Sequence, residues 1–308
     1  MILVTPSEVD RVMAGQSVTV VAASGREVQF HTAFCLFSTA RPEPLAGLDL
    51  TTVHFRELAD AEIARYLDAE QPYDCAGSFK CEGLGISLLP VRVLGKCGGF
   101  DSDVIPAMRW AAGLPVSGLP TNPNPARVIN LSFGGDAPCS FAYQATIDAV
   151  TAAGALIVVA AGNADRTLTR PADCRRVMTV ASVHRDGSKA WYSSFGDRVA
   201  LAAPGGTNEG GTATLLLSTD NSGASVPGVD GYGYKQGTSF AAPQAAGVAS
   251  LMLAVNPSLS PRQLIERMRA GVRPHVPMAG LPVCGTVGVG PCSCTTTTCG
   301  TGLLDANM

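Results

Sequence analysis

Four apolar runs between residues 127 and 206 constrain this chain more than any other feature. They read RVINLSFGG, ALIVVAAGN, VMTVASV and VALAAPGG, and the first two close on glycine-bearing turns. A strand with one wet face alternates polar and apolar residues. An unbroken apolar run predicts a strand covered on both faces. Helical stretches lie around and between these runs. SFAYQATIDAVTAAG carries Ser140 as a cap candidate and Gly154 as a stop, and SDVIPAMRWAAG places Val104, Met108 and Ala111 at helical spacing. Buried strands alternating with helices imply a parallel sheet with helical cover, an α/β fold. Sites in such sheets lie beyond the carboxyl ends of the strands, here the segments SFGG and AAGN.

The stretch GTSFAAPQAAGVASLMLAV is apolar almost all round and predicts a buried helix, with Pro243 in its first turn. Ser239 then stands at the helix N-terminus, where free backbone N–H groups favour a developing oxyanion. A serine hydroxyl still needs a base to take its proton. Asn163, ending an apolar run, can donate a side-chain hydrogen bond into such a site or simply cap a turn. The next helix, SPRQLIERMRAG, has Ser260 as cap, Pro261 at its first position and Gly271 as stop.

The character of the chain changes near residue 90. Residues 1–89 hold 6 Lys/Arg and 12 Asp/Glu, and residues 90–308 hold 16 and 13, which together give the net charge of −3. The first part reads as an α+β fragment. REVQFHTAFCLF alternates as a half-buried strand does, TTVHFREL repeats the pattern, and DAEIARYLDAE predicts a short helix. Residues 88–93 are expected to form a strand or linker where the parts meet. A net charge this small points to neither nucleic acid nor an anionic membrane as partner. No apolar run is read as long enough to cross a bilayer, and the first residues, MILVTPSEVDRVMAG, show no export signal. Ten cysteines, many in Gly- and Thr-rich surroundings such as VCGTVGVGPCSCTTTTCGTG, read as disulfides of a secreted protein. Zinc is the alternative for CSC…C, although the spacing is not that of a finger. The cysteines imply secretion and the N-terminus a cytoplasmic protein.

The segments VRVLGKCGGFDSDVIPAMRWAAG, VINLSFGG, VVAAGN and GTSFAAPQAAGVASLM occur in the order found in subtilases, and CGTGLLDA resembles the close of that catalytic domain. The resemblance covers residues 90–308. It implies a subtilisin-like parallel sheet with covering helices, and serine endopeptidase chemistry on polypeptide substrates. Ser239 would be the nucleophile and Asn163 the side-chain oxyanion donor. Ser132, Phe133, Gly134, Gly135 and Gly162 would pair with substrate backbone and wall the specificity pocket. The family's aspartate and histidine motifs precede VRVLG, and the residues before it here contain neither. His31, His54, His184 and His275 all lie in other contexts. The reading is therefore a subtilase domain without its N-terminal third, with activity impaired or absent. The resemblance leaves room for a structural calcium ion, names no residue for it, and calls for no other cofactor or metal.

Residues 24–89, above all YDCAGSFKCEGLGISLL, are similar to the C-terminal half of the Maf family of nucleotide pyrophosphatases, on its 7-methyl-GTP branch. The resemblance places Lys80 and Glu82 in a nucleotide pocket, where a lysine can meet phosphate and a carboxylate can accept from a guanine edge. The family's phosphate loop and its presumed catalytic aspartate have no counterpart in residues 1–23, which match nothing recognised. The expected architecture is a small Maf-like fragment over residues 1–89 followed by the subtilase part over 90–308. The alternative functions are a nucleoside triphosphate pyrophosphatase relative or a non-catalytic chimeric gene product.

Overall fold

The computed structural model describes the backbone of residues 27–38 and 41–54, and in full residues 89–95, 98–223, 226, 228–285 and 290–306. The chain forms two compact units, Met1–Ser87 and Leu88–Met308. In the first, β1 (Glu27–Ser38) and β2 (Arg41–His54) pair as an antiparallel hairpin, with Glu27 opposite His54 and Ser38 opposite Arg41. The alternation in REVQFHTAFCLF becomes β1. Strand β2 runs further back than TTVHFREL suggests, through RPEPLAGLDL. Its Pro and Gly residues disfavour a strand locally, and the ladder to β1 overrides them. The helix expected over residues 60–70, and with it Lys80 and Glu82, lies outside the described residues. Residues 89–94 form neither strand nor helix, and all but Val93 are exposed.

The second unit is built on the four apolar runs. They become β3 (Val128–Leu131), β4 (Leu156–Ala160), β5 (Met178–Val183) and β6 (Val199–Pro204), a parallel sheet in the order β3-β4-β5-β6. Helices cover both faces, which is why the strands need no polar alternation. On one face α1 (Asp101–Ala111) and α2 (Phe141–Ala152) bury Val104, Met108, Tyr143, Ile147 and Val150 against Ile129, Leu131, Ile157 and Val159. On the other, α3 (Thr238–Val255) and α4 (Pro261–Ala270) bury Ala241, Ala245, Ala249, Leu264 and Met268 against Leu156, Val158, Met178, Val180 and Leu201. Successive residues of β4 thus point to opposite cores, as a period of two requires. Ser140 caps α2 by accepting from the Tyr143 N–H. Ser260 and Gln263 form a reciprocal capping box on α4.

Helix α3 differs from its sequence reading in three ways. It buries one face, not its whole girth: Leu251 and Val255 are exposed, because the sheet covers one side only. At 18 residues and a mean hydropathy of 1.3, it is long and apolar enough to cross a membrane by length and composition, where the sequence reading found no such run. Small alanines on its buried face let it lie close on the sheet instead. Finally, the helix begins at Thr238, so Pro243 is its sixth residue, in the second turn. Its missing N–H would have met the Ser239 carbonyl. That carbonyl accepts from the Ser132 hydroxyl at 2.8 Å instead.

A second antiparallel hairpin, β7 (Leu216–Asn221) and β8 (Asp230–Lys235), leads into α3. The cysteine-rich tail packs on the far side of β5 and β6, where Cys284, Cys292, Cys294 and Cys299 are buried with Ala181, Val183 and Ala202. Disulfides join Cys139 to Cys174, Cys284 to Cys292, and Cys294 to Cys299. The sulfurs of CSC…C, which a zinc ion would need as thiolates, are all taken up in disulfides, Cys292 with Cys284 and Cys294 with Cys299.

Candidate active site

The turn that opens α3 is locked by contacts that tolerate almost no side chain. The Gly237 N–H donates to the Gly205 carbonyl at 2.8 Å and to the Tyr192 hydroxyl at 3.0 Å. A Cβ on Gly205 would stand 2.1 Å from Ser182 Oγ and 2.7 Å from the Gly237 carbonyl, so only glycine fits. The Tyr192 hydroxyl also meets Ser182 Oγ at 2.8 Å and the Gly206 carbonyl at 2.6 Å. Burial pushes this phenol up from its ordinary pKa, which keeps it a neutral donor and acceptor.

Asn163 leaves the end of β4 and reaches the same turn. Its Oδ1 accepts from the Thr238 backbone N–H at 2.9 Å and from Thr238 Oγ1 at 2.8 Å. Two donors at one atom identify it as the oxygen, so Nδ2 is the end available to a ligand. The Gly162 N–H donates to Thr238 Oγ1 at 3.1 Å, and the Ser194 N–H donates to the Gly162 carbonyl at 2.9 Å. One turn beyond, the Asp165 N–H donates to the Tyr192 carbonyl at 2.9 Å. Tyr192 therefore holds both halves of the site, one through its backbone and one through its hydroxyl.

Below this turn lies Lys189, only 1% exposed. Its Nζ donates to Asp165 Oδ1 at 2.6 Å and to the carbonyls of Ala190 and Ser193. Burial lowers its pKa, and the Asp165 carboxylate opposes that shift. The other Asp165 oxygen accepts from the Gly290 N–H at 2.9 Å, which ties the turn after Asn163 to the disulfide-bonded tail.

Ser239 is the second residue of α3, among those whose backbone N–H has no intrahelical acceptor. Its Oγ donates to the Ser132 carbonyl at 2.9 Å. In return Ser132 Oγ donates to the Ser239 carbonyl and accepts from Asn130 Nδ2 at 2.9 Å. Beyond Ser132, Phe133 packs partly into the core under α1 and α2. Gly134 and Gly135 lie close against Arg170, Gly134 on its carbonyl and Gly135 on its guanidinium, with the Gly135 N–H on the Arg170 carbonyl at 2.9 Å. The Arg170 guanidinium pairs with Asp101 at 2.9 Å, and Asp101 accepts from the Tyr143 hydroxyl at 3.1 Å. Burial first, and Asp101 second, push the Tyr143 phenol up to about 12.

Two histidines, His184 and His275, make contacts elsewhere in the second unit. His184 Nε2 lies 3.1 Å from Glu209 Oε2, and His275 Nε2 lies 2.9 Å from the Gly300 carbonyl. His31 sits in β1 and His54 in β2, within the other unit. Among the described residues none hydrogen-bonds Ser239. The fold thus brings Ser239, Ser132, Asn163 and Gly162 into one hydrogen-bonded group, with Gly134 and Gly135 following Ser132. Sequence reasoning missed Tyr192, Thr238, Asn130 and the Lys189–Asp165 pair. None of these is marked by a local pattern; Lys189 lies in HRDGSKAWY, close to Arg185 and Asp186.

Comparison with known proteins decides the lineage. Residues 82–274 match the sequence model of the subtilase family. The chain belongs to the subtilase family. An extracellular basic protease of Dichelobacter nodosus is 44% identical over 188 residues, covering 59% of this chain and 30% of that protein. A solved protease of Pseudoalteromonas arctica is 41% identical, with a TM-score of 0.63, covering 73% of this chain and 62% of its own. The same chain also carries a second lineage: residues 16–96 match the Maf-like protein model. Over 67 of its residues the chain is 64% identical to a 7-methyl-GTP pyrophosphatase of Xanthomonas oryzae, covering 22% of this chain and 34% of that enzyme. The chain spans about a third of the length of these curated relatives.

Proposed function

We propose that the second unit presents a subtilisin-type acyl-transfer site for polypeptides, and that it turns over little because Ser239 has no base among the described residues. In this reading Ser239 Oγ attacks the scissile carbonyl. The developing oxyanion falls between Asn163 Nδ2 and the free N–H groups at the start of α3, a contribution of about 3 kcal/mol. Ser132, Phe133, Gly134, Gly135 and Gly162 receive the substrate backbone, with Gly134 and Gly135 offering no side chain to block it. The observation that carries the second half is the Ser239 hydroxyl donating to the Ser132 carbonyl. An amide carbonyl is too weak a base to accept that proton. In subtilisin, loss of the serine or histidine lowers turnover roughly a millionfold, and the same scale applies here.

Exogenous imidazole tests this. A fluorophosphonate should acquire Ser239 slowly in buffer and much faster with imidazole, with no labelling of Ser239→Ala. Labelling that is fast without imidazole would overturn the missing base. Labelling that imidazole does not accelerate, or that persists in Ser239→Ala, would overturn the site itself.

For the first unit, the match to Maf-like proteins supports nucleotide as a partner, with Lys80 and Glu82 the proposed contacts. Calorimetry with 7-methyl-GTP on the chain and on Lys80→Ala tests this, and equal heats from both would sink it. The three disulfides and the extracellular relative support an oxidising compartment and weigh against the cytoplasmic expectation.

A further inference from the structure

The opposite edge of the sheet holds a second concave feature. A cavity of about 220 Å³ opens at the amino ends of β5 and β6, lined by Arg175, Arg176, Arg198 and Arg269, with Asp197 the one acid. Strands β5 and β6 are parallel, so this edge is the far one from Asn163, which follows the carboxyl end of β4. The arginines come from three separate places: the turn before β5, the turn before β6, and the last turn of α4.

Like charges gathered from separate segments into one cavity repel, so each should seek a partner. Arg176 reaches Asp148 at 3.5 Å. Arg175, Arg198 and Arg269 make no side-chain hydrogen bond or ion pair among the described residues, and neither does Asp197. A place in the last turn of α4 accounts for Arg269 through the helix dipole. It accounts for neither Arg175 nor Arg198. The floor under them is rigid. Cys174 is disulfide-bonded to Cys139, and Val177, Val199 and Ala200 are buried. Gln144 holds the Arg175 backbone at both its N–H and its carbonyl.

From this geometry we infer that the cavity is a binding site for a compact polyanion bearing phosphate groups, recognised through its oxygens by the arginine forks. Guanidinium presents paired donors that match a phosphate group bidentately. The volume suits a short phosphate chain, and one acid against four cations leaves the cavity net positive. Recognition rests on charge at a wet surface, so it weakens as salt screens it.

The test is calorimetry of the full chain with sodium tripolyphosphate. We expect saturable binding at one site per chain, falling about tenfold in Arg198→Ala and further in Arg198→Ala/Arg269→Ala. Asp197→Asn should tighten it, and Arg273→Ala, outside the cavity lining, should leave it unchanged. Adenosine triphosphate should bind comparably, since the phosphate chain is what is read. All these side chains are exposed, so the variants should fold, and an unchanged melting transition checks this. Absence of saturable binding would overturn the proposal. So would equal binding by the double arginine variant, the outcome expected if the Maf-like unit were the anion site. Binding of the nucleotide but not of tripolyphosphate would overturn it as well.

Discussion

The two sides of Ser239 are built to different standards. On one side Asn163, Thr238, Gly162, Gly237, Gly205 and Tyr192 form a closed hydrogen-bond network with Lys189 and Asp165 beneath it. On the other side the hydroxyl proton points at a backbone carbonyl. On the proposed reading, the difference separates the two demands of acyl transfer. Holding a negative charge needs only the end of β4, the start of α3 and the segment that braces them. Moving a proton needs a base, and among the described residues no histidine hydrogen-bonds Ser239.

The largest expected effect comes from breaking the braced side at its base. Asp165→Ala leaves Lys189 buried without its carboxylate and should cost about 3 kcal/mol of stability in denaturant unfolding. Lys189→Met, which fills the space without charge, should cost clearly less. A near-neutral Asp165→Ala would mean that the pair does not support the Asn163 turn. Next, Asn163→Ala should slow imidazole-assisted acylation of Ser239 roughly a hundredfold while leaving the melting temperature within a few degrees. An unchanged rate would show that the oxyanion forms elsewhere.

How much of this comparison was visible in the residues depends on range. The sheet was legible, because short unbroken runs such as ALIVVAAGN, rich in β-branched residues and closed by glycine, fit strands covered on both faces. The caps at Ser140 and Ser260 were legible for the same local reason. The placement of Ser239 and Asn163 followed from strand and helix ends. The brace was not legible, since Tyr192 reaches Gly237 across 45 positions and Lys189 reaches Asp165 across 24. Pro243 was misplaced by a turn because the start of α3 is set by Thr238 bonding to Asn163, a contact no local pattern reveals.

Alkaline pH sharpens the outer wall of the site. The Tyr143 phenol titrates near 10 when unfolded and near 12 when folded. Between those values the unfolded chain has released the proton that the folded chain keeps, so stability falls as pH rises. The loss should reach about 2 kcal/mol by pH 12, and Tyr143→Phe should remove that part of the alkaline slope. An identical slope in the variant would detach Tyr143 from Asp101. The smallest effect is expected from Tyr192→Phe, about 1 kcal/mol for the lost hydroxyl bonds. Its mark should be local: the Asn163 side-chain amide resonances should shift while amides of α2 stay in place. If they do not move, the hydroxyl does not couple the two halves of the site.

Peptidase turnover by the purified full chain tests the missing base most directly. A chromogenic peptide anilide should be hydrolysed at the same near-background rate by the chain and by Ser239→Ala, because the oxyanion side alone cannot dispose of the serine proton. Robust hydrolysis that Ser239→Ala abolishes would contradict the account, and would mean that one of His31, His54, His184 or His275, or a second polypeptide, delivers a base to Ser239.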